Sequence, residues 1–250
     1  MSASKPTIVL VHGAFHDSKS FEPLAQRISD AGYNCKYALD MPGSGSTASV
    51  AEDAQVIRSA VLEILEGGND CVVVGHSYGG IAGNQAVEGL AKKQGDSSPG
   101  VVKMVYIDAN LPKLGESHLQ QFQAWQEADG IDAGEILDIK DGLVHFIGCE
   151  NCFYNDLPED VRKELYGKLK PQSLHSFTDP LTYVSYNDIP SWYLSGTKDV
   201  IMPPSFHKYI LNDIGGTVEV VEEIDAGHCS FIGQPAQVAD FIIRAAQSVA

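Results

Sequence analysis

Cys71-Val72-Val73-Val74-Gly75-His76-Ser77-Tyr78-Gly79-Gly80 reads as a buried strand that reverses into a helix with a serine at the turn. The apolar run Cys71–Val74 has the composition of a strand covered on both faces, and a helical pattern opens at Ile81. A serine lifted at the apex of so sharp a turn needs small neighbours, which Gly75, Gly79 and Gly80 supply. The G-x-S-x-G spacing between strand and helix predicts a nucleophile elbow with Ser77 as candidate nucleophile; the plain alternative is an ordinary Gly-Ser turn.

Upstream, Thr7-Ile8-Val9-Leu10-Val11 reads as a second buried strand that runs directly into His12-Gly13-Ala14-Phe15-His16. Acyl transfer builds negative charge on a carbonyl oxygen, and two backbone N–H groups can stabilise it, one from such a loop and one from the residue after the nucleophile. Ala14 and Tyr78 are the expected donors, with His12 a brace for the loop.

A serine nucleophile needs a base, and the base needs an orienting acid. Ser191–Gly196 reads as a strand whose C-terminal end carries Thr197-Lys198-Asp199. Val218–Val221 reads as another strand, followed by Asp225-Ala226-Gly227-His228 and an amphipathic helix over 237–243. His228 is the expected base and Asp199 the expected acid, with Asp108, at the end of strand 101–107, as the rival acid. The chain order serine, aspartate, histidine belongs to one hydrolase architecture and differs from the order of other serine triads.

Between these motifs the pattern alternates: strand near 7–11, helix 18–31, strand 34–39, helix 50–66, strand 70–75, helix 79–94, strand 101–107. This alternation predicts an α/β fold with a mostly parallel sheet flanked by helices. It lapses over 112–188, where Ser117–Asp129 and Pro158–Lys170 are helical, and resumes at Trp192. The expected organisation is a core of 1–111 and 189–250 with a helical cap inserted as 112–188 after the strand ending near Asp108. Such an insertion would lie over the carboxyl ends of the strands and shape a pocket for a small-molecule substrate. Phe15, Phe122, Trp125, Phe146, Phe153, Tyr154 and His175 are the side chains expected around it, against a plain role as core. Gly43-Ser44-Gly45 lacks the lysine and spacing of a phosphate loop and reads as a mobile loop near the rim. Cys149 and Cys152 have no second pair to complete a zinc site, so no metal is expected.

The formal net charge of −16 argues against nucleic acid and anionic membranes as partners, since phosphate binding needs clustered Lys and Arg. No apolar run approaches a membrane span, and the polar start Met1–Pro6 does not resemble a signal peptide. Five scattered cysteines favour free thiols in a reducing compartment, so a cytoplasmic location is expected. No cofactor is called for, and a homodimer is compatible with the sequence.

The motifs together resemble the α/β-hydrolase fold superfamily, and within it the small cap-bearing branch of plant methylesterases and hydroxynitrile lyases. The resemblance covers nearly the whole chain. It rests on His12-Gly13-Ala14, Gly75-His76-Ser77-Tyr78-Gly79-Gly80, Thr197-Lys198-Asp199 with Ile201–Phe206, and Ala226-Gly227-His228 with Gln234-Pro235. It implies the α/β-hydrolase fold, with Ser77, His228 and Asp199 as catalytic residues and Ala14 and Tyr78 as oxyanion donors. The lyases of that branch carry a threonine where this chain has Gly13 and a lysine where it has Cys229. Without that lysine, cyanide loses its electrostatic support. The resemblance therefore implies a serine esterase or lactonase acting through an acyl-enzyme on a small, largely apolar molecule. Two rival readings are cofactor-free C–C cleavage or polyketide-releasing thioesterase chemistry on the same scaffold, and a receptor-like binding module.

Overall fold

A computed structural model describes residues 5–130 and 136–249. The start of the polar stretch Met1–Pro6 and part of the inserted segment lie outside the described residues. In chain order the elements are β1 (Thr7–Val11), α1 (Glu22–Asp30), β2 (Cys35–Lys36), α2 (Val50–Glu66), β3 (Cys71–His76), α3 (Gly79–Ala86), β4 (Val101–Ile107), α4 (His118–Asp129), β5 (Leu137–Lys140) and β6 (Leu143–Phe146). They continue with α5 (Asn151–Tyr154), α6 (Glu159–Tyr166), β7 (Gln172–Ser173), α7 (His175–Thr178), β8 (Ser191–Gly196), α8 (Pro204–Asp213), β9 (Val220–Ile224), α9 (Ser230–Gly233) and α10 (Pro235–Gln247).

Six strands form a parallel sheet in the order β2-β1-β3-β4-β8-β9. Thr7–Val11 and Cys71–His76 are buried at every position, as continuous apolar runs in a two-sided sheet must be. α1 packs on α10 and α2 on α3. The strand order reverses between β1 and β3: one crossover leads outward from β1 to β2, and the next returns past β1 to β3. Such a switch point opens a crevice at the carboxyl ends of the strands. The loop His12–His16 follows β1 there, and Ser77 follows β3.

Three elements differ from the sequence expectation. The strand over 34–39 pairs only at Cys35–Lys36. The helix expected to reach residue 94 ends at Ala86, and Gly89 then turns the chain at φ 73°. The inserted segment is not purely helical: α4 and α6 fall where helices were expected, but β5, β6 and β7 form a separate antiparallel sheet. β5 and β6 meet at Asp141-Gly142, with φ of 53° and 76°, the two-residue left-handed turn that matches strand twist. No described helix is long and apolar enough to cross a membrane.

Candidate active site

Ser77 has φ 51°, a left-handed conformation rare for a residue with a side chain. Its backbone is held on both sides: the N–H donates to Ile107 O at 3.2 Å, and the carbonyl accepts from Gly80 at 2.9 Å and Asn110 at 3.2 Å. The glycine before it is required by close approach, since a Cβ on Gly75 would stand 2.6 Å from the carbonyl oxygen of Gly79. The side chain of Tyr78 points away into the core, where its hydroxyl donates to the buried Asp53 at 2.7 Å.

The loop after β1 is braced by its own histidines. His12 Nε2 accepts the Met41 N–H at 3.3 Å, so Nδ1 carries the proton and donates to Gly13 O at 2.9 Å. His16 Nδ1 bonds Ala14 O at 2.8 Å, and Nε2 bonds the Tyr154 hydroxyl at 2.8 Å. Phe15 sits at φ 65° with its N–H on Gln172 Oε1 at 3.3 Å, which ties the loop to β7. Ala14 and Tyr78 both line the cavity described below, and neither backbone N–H has a hydrogen-bond partner among the described residues. Burial pushes the His16 imidazole down to about 4 and holds those of His12 and His76 below their ordinary value, so these rings add no positive charge near His228.

His228 lies beside the elbow, its carbonyl accepting from His76 Nε2 at 2.9 Å and its ring 4.9 Å from that of His76. Its Nδ1 is 2.7 Å from Asp199 Oδ2. Burial alone would raise the Asp199 carboxyl, but the neighbouring charge of His228 and hydrogen bonds from His207 and His228 hold it well below the usual carboxylate range. An ionised Asp199 accepts, so Nδ1 donates, and in the neutral ring Nε2 is then the nitrogen with the lone pair. That Nε2 is buried and has no hydrogen-bond partner among the described residues. Asp108, the rival acid, makes no hydrogen bond to His228. Its oxygens meet the Gly196 N–H at 2.6 Å and the Ser230 hydroxyl at 3.0 Å, and burial followed by the charge of Asp199 pushes its carboxyl up to about 8.

Ser77 opens into a cavity of about 290 Å³ walled by Phe15, Phe122, Phe146, Phe153, Phe177 and Phe206. Of the side chains expected around a substrate, Phe15, Phe122, Phe146 and Phe153 line it and three do not. Trp125 is spent on packing against Phe206, with ring centroids 4.9 Å apart, and on a hydrogen bond to Asp129. Tyr154 braces His16, and the exposed His175 pairs with Asp179 at 2.8 Å. Sequence reasoning missed Asn110, His118 and Ser176, polar members of the lining beside Ser77 and Tyr78. Asn110 follows the carboxyl end of β4 by three residues, a position at which ligand-facing residues concentrate, and that was the available signal. Burial pushes the His118 imidazole down to about 4, so it faces the cavity neutral.

Gly43-Ser44-Gly45, expected to be mobile, is tied down. Gly43 N–H donates to Asp53 at 2.7 Å, Ser44 Oγ to His16 O at 2.8 Å and Gly45 N–H to Pro171 O at 2.8 Å. Cys149 and Cys152 stand with sulfurs 3.8 Å apart as free thiols.

The family model of the alpha/beta hydrolase family matches residues 8–241. "Probable hydrolase R7" of Phoma sp. is 32% identical over 255 residues, covering 97% of this chain and 99% of the relative. Salicylic acid-binding protein 2 of Nicotiana tabacum is 23% identical, covering 95% of this chain and 96% of its own length. Among solved structures, polyneuridine aldehyde esterase superposes with a TM-score of 0.77 at 18% identity, over 96% of this chain and 99% of that one. On the sheet order, the position of the elbow and a family match spanning nearly its full length, the chain belongs to the alpha/beta hydrolase family.

Proposed function

We propose that this hydrolase is a serine esterase in which Ser77 attacks an ester or lactone carbonyl, His228 Nε2 takes the serine proton, and Asp199 orients His228. The tetrahedral oxygen is held by the N–H groups of Ala14 and Tyr78; collapse releases the alcohol with the proton returned from His228, and water then repeats the sequence to free the acid. The observation that carries this reading is the 2.7 Å contact of His228 Nδ1 with Asp199, which leaves the opposite nitrogen bare beside the elbow. Contacts between nucleophile and base are often long before substrate binds and tighten in the complex. The strained φ of Ser77 and the unpartnered N–H groups of Ala14 and Tyr78 support the same assignment.

The cavity favours an acyl or alcohol group that is aromatic or otherwise apolar, since burying such a group against phenylalanines releases about 25 cal/mol per Å² of apolar surface. The inserted segment 112–188 acts as the cap, supplying Phe122, Phe146, Phe153 and Phe177 to its wall. The testing experiment is intact-mass labelling with a fluorophosphonate, with hydrolysis of p-nitrophenyl acetate followed in parallel, on wild type and Ser77→Ala. One adduct on the wild type, absent from the variant along with turnover, is expected. Equal labelling of both proteins would overturn the assignment of Ser77.

A further inference from the structure

The acid side of the site continues beyond His228. His207 on α8 is buried, with Nε2 3.3 Å from Asp199 Oδ2 and 3.7 Å from Asp108 Oδ1, and Nδ1 2.8 Å from the Tyr193 hydroxyl oxygen. The Tyr193 oxygen is also 2.7 Å from the carbonyl oxygen of Ala109, which has no proton to give, so the phenol's single proton is committed there. The phenol keeps that proton: burial first, then the charges of Asp108 and Asp199, push its ionisation well above the ordinary range. His207 Nδ1 must therefore donate to the phenol oxygen. Nε2 faces an ionised carboxylate and must donate as well. A ring that donates from both nitrogens is an imidazolium.

The surroundings call for that charge. Asp108 and Asp199 are both buried, and two adjacent carboxylates without a cation or a proton would carry a large desolvation penalty. Asp108, Asp199 and His207 approach closely enough to suggest a metal site. The donor set argues otherwise: Asp199 Oδ1 accepts the N–H groups of Ile201 and Met202, both at 2.8 Å, and Oδ2 accepts from His228 and His207. A carboxylate has about four lone-pair sites, so none is left for a cation.

We propose that His207 is a positioning residue that carries a standing positive charge and clamps Asp199 Oδ2 in line with His228 Nδ1. The proposal rests on the assignment of Asp199 and His228 made above. Asp108 completes the cluster as its proton-bearing member, so that Asp108, Asp199 and His207 together are neutral at rest. The titratable groups facing His207 are Asp108 immediately after β4, Tyr193 from β8, Asp199 from the loop after β8 and, across Asp199, His228; Lys208 and Glu223 share the surface cleft at its outer edge. A cation beside Asp199 draws negative charge away from His228, so Asp199 holds the imidazolium that forms there during catalysis less tightly than it would alone.

The test is a long-range ¹H–¹⁵N correlation spectrum of the full chain labelled in its histidines at pH 7, compared with His207→Gln. The signals missing from the variant should belong to a ring protonated at both nitrogens. A ring with one bare nitrogen would overturn the proposal. Should His207→Gln not fold, Tyr193→Phe serves instead, because it removes the oxygen that Nδ1 faces and should move the Nδ1 signal of that same ring alone. This readout needs no turnover, so it stands even if the protein proves not to be an esterase. The second readout is the pH profile of kcat/KM on p-nitrophenyl acetate. In His207→Gln its acid limb should move about one unit to higher pH. A uniform fall in rate with an unmoved limb would show a merely structural role and count against the proposal.

Discussion

Gly13 shows how little room there is beside Ser77. A Cβ at this position would stand 2.8 Å from His76 Nδ1 and 2.9 Å from Ser77 Cβ, so Gly13→Ala must displace either the loop or the serine. Because the loop carries one of the proposed oxyanion donors, the variant should lose about 10² to 10³ in kcat. Stopped assays on p-nitrophenyl acetate, with circular dichroism to show that the fold persists, check this. The acid has a similarly direct test. Asp199→Asn keeps the shape but cannot hold the charged imidazole, and should cost about 10⁴ in kcat. Asp108→Asn should cost far less, because Asp108 bonds Gly196 and Ser230 rather than His228. The reverse ranking would move the acid role to Asp108. The proposed triad of Ser77, Asp199 and His228 could be named from the sequence because each member lies within four residues of a strand's end, in a short motif of its own. His207 could not, since nothing local separates a histidine on α8 from an ordinary helix residue until packing brings Asp199 and Tyr193 against it.

At the level of elements, part of the cavity wall is a single helix, α4, which supplies His118, Leu119 and Phe122. α4 begins with a reciprocal cap: Ser117 Oγ accepts the Gln120 N–H at 3.3 Å, and Gln120 Oε1 accepts the Ser117 N–H at 2.9 Å. The capped turn and the one after it carry His118 and Phe122 to the cavity. Ser117→Ala should weaken the start of this helix by about 1 kcal/mol. The expected signs are faster hydrogen exchange in the first turn of α4 and a raised KM with kcat nearly unchanged, because the wall moves while Ser77 and His228 stay. A fall in kcat at constant KM would place the effect elsewhere. The helices of the inserted segment were readable from their spacing, whereas its small sheet was not, although Asp141-Gly142 between Ile139 and Val144 is a hairpin signal. It was hidden because β5 is exposed along its whole length, so no buried face imposes the alternation that marks a strand. Yet β7 of that sheet supplies Gln172, which holds the backbone of Phe15. The inserted segment thus bears on the loop after β1 as well as on the cavity.

For the molecule as a whole, the buried acid pair links folding to pH. Asp199 and Asp108 act in opposite directions. The Asp199 carboxyl is depressed on folding, so its contribution is present above the ordinary carboxylate value and is lost as pH falls into the acid range. Asp108 is raised from 3.8 to about 8, so between those values the folded chain holds a proton that the unfolded chain has released. Stability then decreases with rising pH, since the slope follows the protons bound in the unfolded state minus those bound in the native state. The contribution of Asp108 is complete below about 4 and is lost as pH climbs through 8. Surface charge runs in the same direction, because a chain with a formal net charge of −16 repels itself more once every carboxylate is ionised. Asp108→Asn separates the two effects: asparagine keeps an acceptor oxygen for the Gly196 N–H, its NH2 requires the Ser230 hydroxyl to turn and accept, and it has no proton to lose, while the surface charge is unchanged. Thermal melts of wild type and Asp108→Asn between pH 5 and 9 should show the wild-type Tm falling more steeply from pH 6 to 9. The variant should gain on it progressively toward the alkaline end. Parallel curves would mean that Asp108 is ionised throughout, and His207 would then have to offset two carboxylates rather than one.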